Sequence, residues 1–222
     1  TALEMVNQVL RNNGEAGDLT ALTSLTPFQQ LCFDKSNEAI IELASLVKWM
    51  PLETVGTMTM LSGTSTYAMP SDLLAEDEES FRIPDNNGSF LSFYKSMAEW
   101  DADYPKGITT ERQNMYPSGI SRYNTTYQIN TLPGATQNAK TIQFRYQQRP
   151  SLLTTATGTG TCWVPEGMDD LVLVNLATYK VMAYKGNPEA MEYYNRVFGR
   201  SQTDKGYLDS MKKLYGENYG YR

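Results

Sequence analysis

Hydrophobic residues recur at helical spacing near both ends of the 222-residue chain. The first helix is predicted to begin at a capping box, in which Thr1 and Glu4 satisfy free N–H groups of the first turn. Leu3, Val6 and Leu10 then fall on one face of this helix. It ends at Asn13-Gly14, because glycine readily adopts the left-handed conformation that closes a helix.

A second helix is predicted to begin at Thr26. Another capping box joins Thr26 to Gln29, and Pro27 occupies the first helical position, where its missing N–H costs nothing. Its apolar stripe consists of Phe28, Leu31, Cys32, Ala39, Ile40, Leu43 and Val47. The sequence Trp49-Met50-Pro51 ends the stripe, since proline does not continue a helix.

Two more helices are predicted towards the C-terminus. The third begins at Val164-Pro165-Glu166 and ends at Gly186-Asn187-Pro188, a tight joint in which glycine closes one helix and asparagine caps the next. Its face is formed by Met168, Leu171, Val172, Asn175, Tyr179 and Met182. The fourth helix carries Met191, Tyr194, Val197 and Phe198. We expect it to continue through Tyr207, Met211 and Leu214, although Gly199 and Gly206 lower its helix propensity.

Between the helices, apolar and polar residues alternate with the period of two that is typical of strands. Residues 57–61 and 65–69 alternate around Ser62-Gly63-Thr64, which predicts a hairpin that stops at Pro70. Residues 123–130 and 141–146 alternate in the same way, with Leu132-Pro133-Gly134 starting their connection and Pro150 ending the second run. Ala75 to Gly88 is an acidic, Asn/Gly-rich stretch that we interpret as a loop.

These patterns predict an α+β protein. The N-terminal helix pair cannot bury its apolar stripes alone, so we expect it to pack against the C-terminal pair as one four-helix bundle with an inserted antiparallel β-rich domain. The predicted boundaries are residues 1–51 and 163–215 for the discontinuous helical bundle domain and 52–150 for the inserted domain. Residues 151–162 form a linker and 216–222 a C-terminal tail.

The amino-acid composition limits the kinds of function that the protein can have. Hydrophobic residues make up 41% of the chain, slightly below the share in a typical globular protein. Uncharged polar residues rather than charged ones take the place of the missing apolar residues, which favours extended polar surfaces and interfaces. Tyrosine occurs 15 times and suits surfaces that are apolar on one side and wet on the other. The net charge is −6, without the basic patch expected of a sequence-reading duplex binder. We find no membrane span and no signal-peptide pattern.

Little of the chain suggests catalysis. It has no histidine, so His-based nucleophile systems and His-ligated zinc are excluded. Two cysteines as far apart in sequence as Cys32 and Cys162 are usually small buried hydrophobic residues, and a disulfide between them is the alternative. Thr157 to Thr161 has neither phosphate-loop nor dinucleotide spacing. We therefore predict no catalytic, cofactor or metal residues; Asp101 and Asp103 could hold a divalent cation, but a solvated loop is the commoner meaning of such a pair.

Taken in order, four stretches of the chain resemble head-to-tail adaptor proteins of tailed bacteriophages, including the tail tubular protein A type. They are VNQVLRNNGE from Val6, LSGTSTYAMPSDLL from Leu61, Trp100 to Pro105 continuing through the strands to Pro150, and Val164 to Glu189. Each motif is weak alone, and their order over most of the chain carries the resemblance.

The resemblance implies a structural virion protein, not an enzyme. It implies a ring, dodecameric in this family, that docks on the portal protein, joins the phage head to the tail and extends the DNA channel. The partners would be neighbouring copies, the portal, a downstream nozzle or tail-tube protein, and double-stranded DNA passing without sequence-specific contacts. The protein would lie at the head-tail junction of the virion, and in the host cytoplasm during assembly.

Two site hypotheses accompany this expectation. An acidic loop of Glu76, Asp77, Glu78 and Glu79 is expected to face the lumen, because a basic wall would bind DNA phosphates. Consecutive acids are also common as a plain solvated surface. Tyr219, Tyr221 and Arg222, in the tail from Gly216, are expected to order on the portal, whereas the alternative is a frayed end.

Two other functions stay open at this point. A receptor- or glycan-binding β module would be trimeric, and the mid-chain β insertion argues against the long coils that such trimers use. A hydrolase or transferase would need a divalent metal at Asp101 and Asp103, and metal addition should then raise its melting temperature.

Overall fold

The computed structural model describes residues 1–105, 112–154, 163–164, 167–201 and 203–216, without the side chain of Asp170. The chain divides into two compact units. One combines Thr1–Leu52 with Arg149–Arg222, and the other is Glu53–Gln148. We call them the helical unit and the β unit. Of the described helices, none is long and apolar enough to cross a membrane.

The helical unit brings the N- and C-terminal helices together, as predicted. Its N-terminal part contains α1 (Ala2–Asn12), α2 (Pro27–Leu46) and a 3-10 turn (Met50–Leu52). Its C-terminal part contains a π-helix (Asp169–Val174) followed by α4 (Asn175–Tyr184), α5 (Ala190–Phe198) and α6 (Tyr207–Tyr215). Helix α4 packs against α1, α2 and α5.

Polar contacts join the two ends of the chain in this unit. The Asn12 side-chain amide donates to the Thr178 hydroxyl over 3.2 Å. Asn37 accepts from the Leu153 N–H at 2.8 Å and donates to the Leu153 carbonyl at 3.2 Å. Lys180 forms an ion pair with Glu42. Because these partners are far apart in sequence, they fix α1 and α2 against the C-terminal half.

Both predicted capping boxes are confirmed. The Glu4 N–H donates to the Thr1 hydroxyl, and the Glu4 carboxylate accepts from the N-terminal ammonium. In α2 the Gln29 N–H donates to Thr26, and the Gln29 side chain accepts from the Thr26 N–H. Cys32, on the buried face of α2, is a free thiol, and burial raises its pKa to about 11. Cys162 lies outside the described residues.

The prediction of one continuous fourth helix is wrong. Helix α5 ends at Phe198, and Gly199 has a left-handed φ of 84°. The chain then folds back, since the Arg200 N–H donates to the Asp204 carbonyl at 3.1 Å. A Cβ on Gly199 would lie 2.0 Å from that carbonyl oxygen. The loop therefore requires glycine here, and α6 is a separate helix.

The β unit contains two sheets. One has the order β1 (Glu53–Thr59), β9 (Thr141–Gln148), β4 (Arg82–Ile83) and β5 (Ser89–Phe90), with β3 (Leu73–Glu76) also pairing to β9. The other has the order β2 (Thr66–Ala68), β8 (Thr126–Ile129), β7 (Gly119–Tyr123) and β6 (Ser92–Tyr94). The short helix α3 (Met97–Asp103) follows β6. The pairing is antiparallel except between β6 and β7.

Three strand predictions need correction. The hairpin predicted around Ser62-Gly63-Thr64 is wrong, because β1 pairs with β9 and β2 pairs with β8 in the other sheet. The run at residues 123–130 is also divided: Asn124 adopts a positive φ of 52° and turns β7 back into β8. The acidic stretch from Ala75 to Gly88 is not all loop, since it contains the end of β3 and the whole of β4.

An aromatic cluster forms the core of the β unit. The rings of Phe81 and Phe144 stack with centroids 4.7 Å apart, and Tyr127 meets each edge-on at 5.4 Å. Aliphatic side chains from both sheets complete this core: Met58, Met60, Leu73, Ile83, Leu91, Ile120, Ile129 and Ile142. Alternation along the strands therefore places one face of each sheet inward.

Candidate interaction surfaces

The acidic segment, Glu76 to Glu79, is fixed against strand β9 by its backbone. The Asp77 N–H donates to the Arg145 carbonyl at 2.9 Å. The Ser80 hydroxyl accepts from the Arg145 N–H at 2.7 Å and donates to the Asp77 carbonyl at 2.6 Å. These bonds take the place of a regular ladder where β3 ends, so the segment presents its side chains from a fixed turn.

Basic residues neutralise much of this segment. Arg122 Nη1 lies 3.3 and 3.2 Å from the two carboxylate oxygens of Glu76. Arg145 Nε lies 3.8 Å from Asp77. Lys95 Nζ lies 2.6 Å from Glu78, and this hydrogen bond raises the lysine pKa.

Glu79 differs from the other three acids. Among the described residues it has no ion pair within 4 Å, whereas Glu76 is almost buried beside Arg122, with 9% of its side chain exposed. Glu79 borders an open depression of about 270 Å³ that is also lined by Val55, Phe90 and Arg145. Glu79 thus forms no salt bridge among the described residues, although Arg82 and Arg145 line the same depression and its charge acts on Lys95.

The two aspartates of α3 belong to a different environment. The Tyr94 hydroxyl donates to Asp103 at 2.7 Å, and the Asn130 side chain donates to the Tyr104 hydroxyl at 2.9 Å. The hydrogen bond to Tyr104, and next the one to Asp103, raise the pKa of Tyr94. Asp101 is exposed. Within the described ranges, no three His, Cys, Asp or Glu residues are grouped as metal ligands.

The turn after Pro70 takes a form that the sequence did not specify. Strand β2 ends at Ala68, and the Leu73 N–H donates to the Pro70 carbonyl at 3.2 Å. The Asp72 carboxylate accepts from the Tyr146 hydroxyl at 3.0 Å. Asp72 thereby ties the turn to strand β9.

Large apolar side chains are exposed on both units, and three of them, Leu171, Met191 and Leu214, were predicted to lie on the apolar faces of the third and fourth helices. On the helical unit they are Ile41, Leu46, Met50, Leu152, Leu171, Tyr184, Met191, Tyr207 and Leu214. On the β unit they are Val55, Leu61, Phe90, Met115 and Tyr123. Scattered exposure of this kind is ordinary, but side chains more than half exposed, such as Tyr184 at 71% and Phe90 at 68%, are available for contacts with partners.

The surface between α5 and α6 is polar and rich in cations. A depression of about 370 Å³ is lined by residues that include Arg196, Arg200, Lys205 and Tyr207. Glu192 pairs with Arg196, and Asp209 pairs with Lys205 and Lys213. These pairs are exposed and each contributes little stability. The predicted portal-docking residues Tyr219, Tyr221 and Arg222 lie outside the described residues.

A mixed α+β fold with joined terminal helices, a central pair of sheets and exposed apolar side chains suits a structural protein that binds other proteins. The chain belongs to the SU10 adaptor protein family, whose family model matches residues 1–213. It is therefore a phage head-to-tail adaptor and not an enzyme. A search of curated proteins found no match.

Proposed function

We propose that copies of this protein close into a ring that docks on the portal, extends the DNA channel and receives the next tail protein. Family membership carries this proposal, and the exposed apolar side chains on both units support it. In a ring, each subunit uses two different surfaces, and the contacts close because the rotation closes. The resemblance to tail tubular protein A supports twelve copies.

The test is assembly on the portal ring of the same phage. We expect the mixture to give one complex that holds several copies of this chain per portal ring, with a stoichiometry that native mass spectrometry and electron microscopy would count. A chain that binds portal as a single copy, or not at all, would contradict the ring.

We further propose that the acidic segment faces the lumen of this ring. Its support is the net charge of −6, which disfavours phosphate binding, and the exposed position of Glu79. The paired acids keep the turn in one conformation, and Glu79 supplies the repulsion that lets DNA slide.

Charge reversal at Glu79 tests this placement. Glu79→Lys should slow genome ejection and increase retention of DNA in the assembled junction, and a higher salt concentration should restore ejection. Asp101→Lys in the same unit is the matched control, because it makes the same charge change at an exposed acid of α3. Equal ejection rates for wild type and both variants would reject the lumenal position.

The C-terminal tail is proposed to dock into the portal, and its support is sequence alone. Two tyrosines and an arginine follow α6, and these residue types are enriched in protein interfaces. Deletion of residues 217–222 should weaken portal binding at least about tenfold, equivalent to about 1.4 kcal/mol. Full affinity after the deletion would remove the tail from the interface.

A further inference from the structure

Strand β1 is the long unprotected edge of the β unit. It has seven residues and ends the order of its sheet, with β9 on one side and no strand described on the other. The other edge strands are shorter: β5 has two residues, β2 and β6 have three each, and β3, which pairs only with β9, has four. Short edge strands resist pairing with another chain, whereas a long one offers a template for it.

The hydrogen-bond pattern shows which backbone groups of β1 face outward. Val55 lies opposite Arg145, whose N–H and carbonyl bind Ser80 and Asp77 on the far side of β9. The Val55–Arg145 pair is therefore not hydrogen-bonded, and the N–H and carbonyl of Val55 point away from β9. Met60, five residues on, donates to Lys140 at 2.7 Å, which fits the same alternation.

The period of two extends this pattern along the strand. Glu53, Val55, Thr57 and Thr59 present their N–H and carbonyl groups at the open edge, and Thr54, Gly56 and Met58 bind β9. In the described part of the chain, these outward groups have no hydrogen-bond partner. Their row of alternating donors and acceptors is the pattern that recognises an extended polypeptide.

The side chains of β1 also lack the features that protect edges. The strand has no proline or lysine, its charge is confined to Glu53, and Arg145 pairs with that residue at 3.4 Å. Val55 is 59% exposed. An uncharged edge matters in a chain of net charge −6, because copies repel one another and approach most readily where the surface is neutral.

We propose that the β1 edge pairs with an extended segment of a second copy of this chain. This inference rests on the proposed ring. Pairing of β1 with another β1 would be symmetric and would stop at a dimer, so ring closure requires a different segment of the neighbour.

Amide hydrogen exchange on the wild-type protein tests the proposal directly. In the monomer, the amides of Val55, Thr57 and Thr59 should exchange fast, while those of Gly56 and Met58 exchange slowly. In the portal-bound assembly, the three outward amides should slow at least about tenfold. Unchanged fast exchange in an assembly with several copies would overturn the edge pairing and leave the ring intact.

Stoichiometry separates the two proposals. If the portal complex holds a single copy, the ring itself fails and the edge pairing fails with it, before exchange is measured. Protection of the outward amides in a free dimer that does not add further copies would also overturn the proposal, because symmetric pairing would then explain it.

A proline variant gives an independent test. Thr57→Pro removes an N–H that faces away from β9, a position where an edge strand accepts proline. Thr57→Ala is the control, since it shortens the same side chain and keeps the N–H. We expect both variants to keep the wild-type circular dichroism, with assembly at least about tenfold weaker for Thr57→Pro only. Equal assembly of folded Thr57→Pro and Thr57→Ala would contradict the pairing.

Discussion

The helical unit and the β unit are stabilised in different ways. In the helical unit, the side chains of one capped helix pack against the next, and most buried residues are aliphatic, such as Leu10, Ile40 and Leu43. In the β unit, the aromatic rings of Phe81, Tyr127 and Phe144 occupy the centre. Hydrogen-bonded pairs such as Gly56 with Phe144 join β1 to β9 in its first sheet.

The comparison shows how far local information reaches. A capping box or a helical stripe is complete within four to twenty residues, so a helix can be predicted from its own segment of sequence. A strand is stable only with a partner that the sequence does not name, and an aromatic core concentrates much of the packing in a few rings. We therefore expect single substitutions to cost more in the β unit than in the helical unit.

The largest expected effect is at the aromatic core. Phe144→Ala should destabilise the protein by about 3–5 kcal/mol, because it empties the space between Phe81 and Tyr127. Urea unfolding would measure the loss, with amide exchange locating it in the β unit. Phe90→Ala is the matched control, since that ring is 68% exposed and should cost little. A loss below about 1 kcal/mol for Phe144→Ala would contradict the described core.

Gly56 gives the next largest effect. A Cβ at this position would lie 2.5 Å from the Phe144 ring, so Gly56→Ala should push the ring out of place at a cost of about 1–3 kcal/mol. Thermal unfolding would measure it, with Thr57→Ala on the exposed side of the same strand as control. If both variants melt like wild type, the ring does not cover Gly56.

In the helical unit, the cap of α2 offers a smaller test. Thr26→Ala removes the hydroxyl that accepts from Gln29 and should cost about 1 kcal/mol. Thr23→Ala, an exposed residue just before the helix, is the control in the same urea titration. A cost for Thr26→Ala above that of Phe144→Ala would reverse the comparison between the two units.

The smallest effect at neutral pH is expected at Tyr127. Its hydroxyl is buried without a hydrogen-bond partner within the described structure, so Tyr127→Phe should leave stability unchanged or slightly higher at pH 7. Burial, with a smaller contribution from Glu76, raises the pKa of Tyr127.

That raised pKa predicts a dependence on alkaline pH. Unfolded tyrosine ionises near pH 10, so the contribution of Tyr127 is complete below about pH 10 and is lost as the pH rises further. The stability difference between Tyr127→Phe and wild type should grow from pH 8 to pH 11 in urea unfolding. Tyr67 and Tyr94 also have raised pKa values, and they cancel in this difference. A constant difference would contradict the raised pKa.

Several features could be predicted from local sequence. Thr1 with Glu4, and Thr26 with Gln29, identified both helix starts because each capping box is complete within four residues. Strand β9 was predicted from alternation alone, since its apolar side chains face a core throughout. The order of motifs from Val6 to Glu189 indicated the adaptor family that the family model shows.

Other features required the tertiary structure. The partner of β1 is β9, more than eighty residues away, and the alternation in β1 is equally compatible with the nearby β2. The break after Phe198 depends on the Asp204 carbonyl folding back onto Gly199, a contact that helix propensity does not contain. From the sequence, the acids from Glu76 to Glu78 resemble a solvated surface. In the structure they form ion pairs with Arg122, Arg145 and Lys95, which are distant in sequence. Elements whose hydrogen bonds close within a few residues could be predicted from local sequence, whereas elements whose partners lie elsewhere in the chain depend on the tertiary contacts.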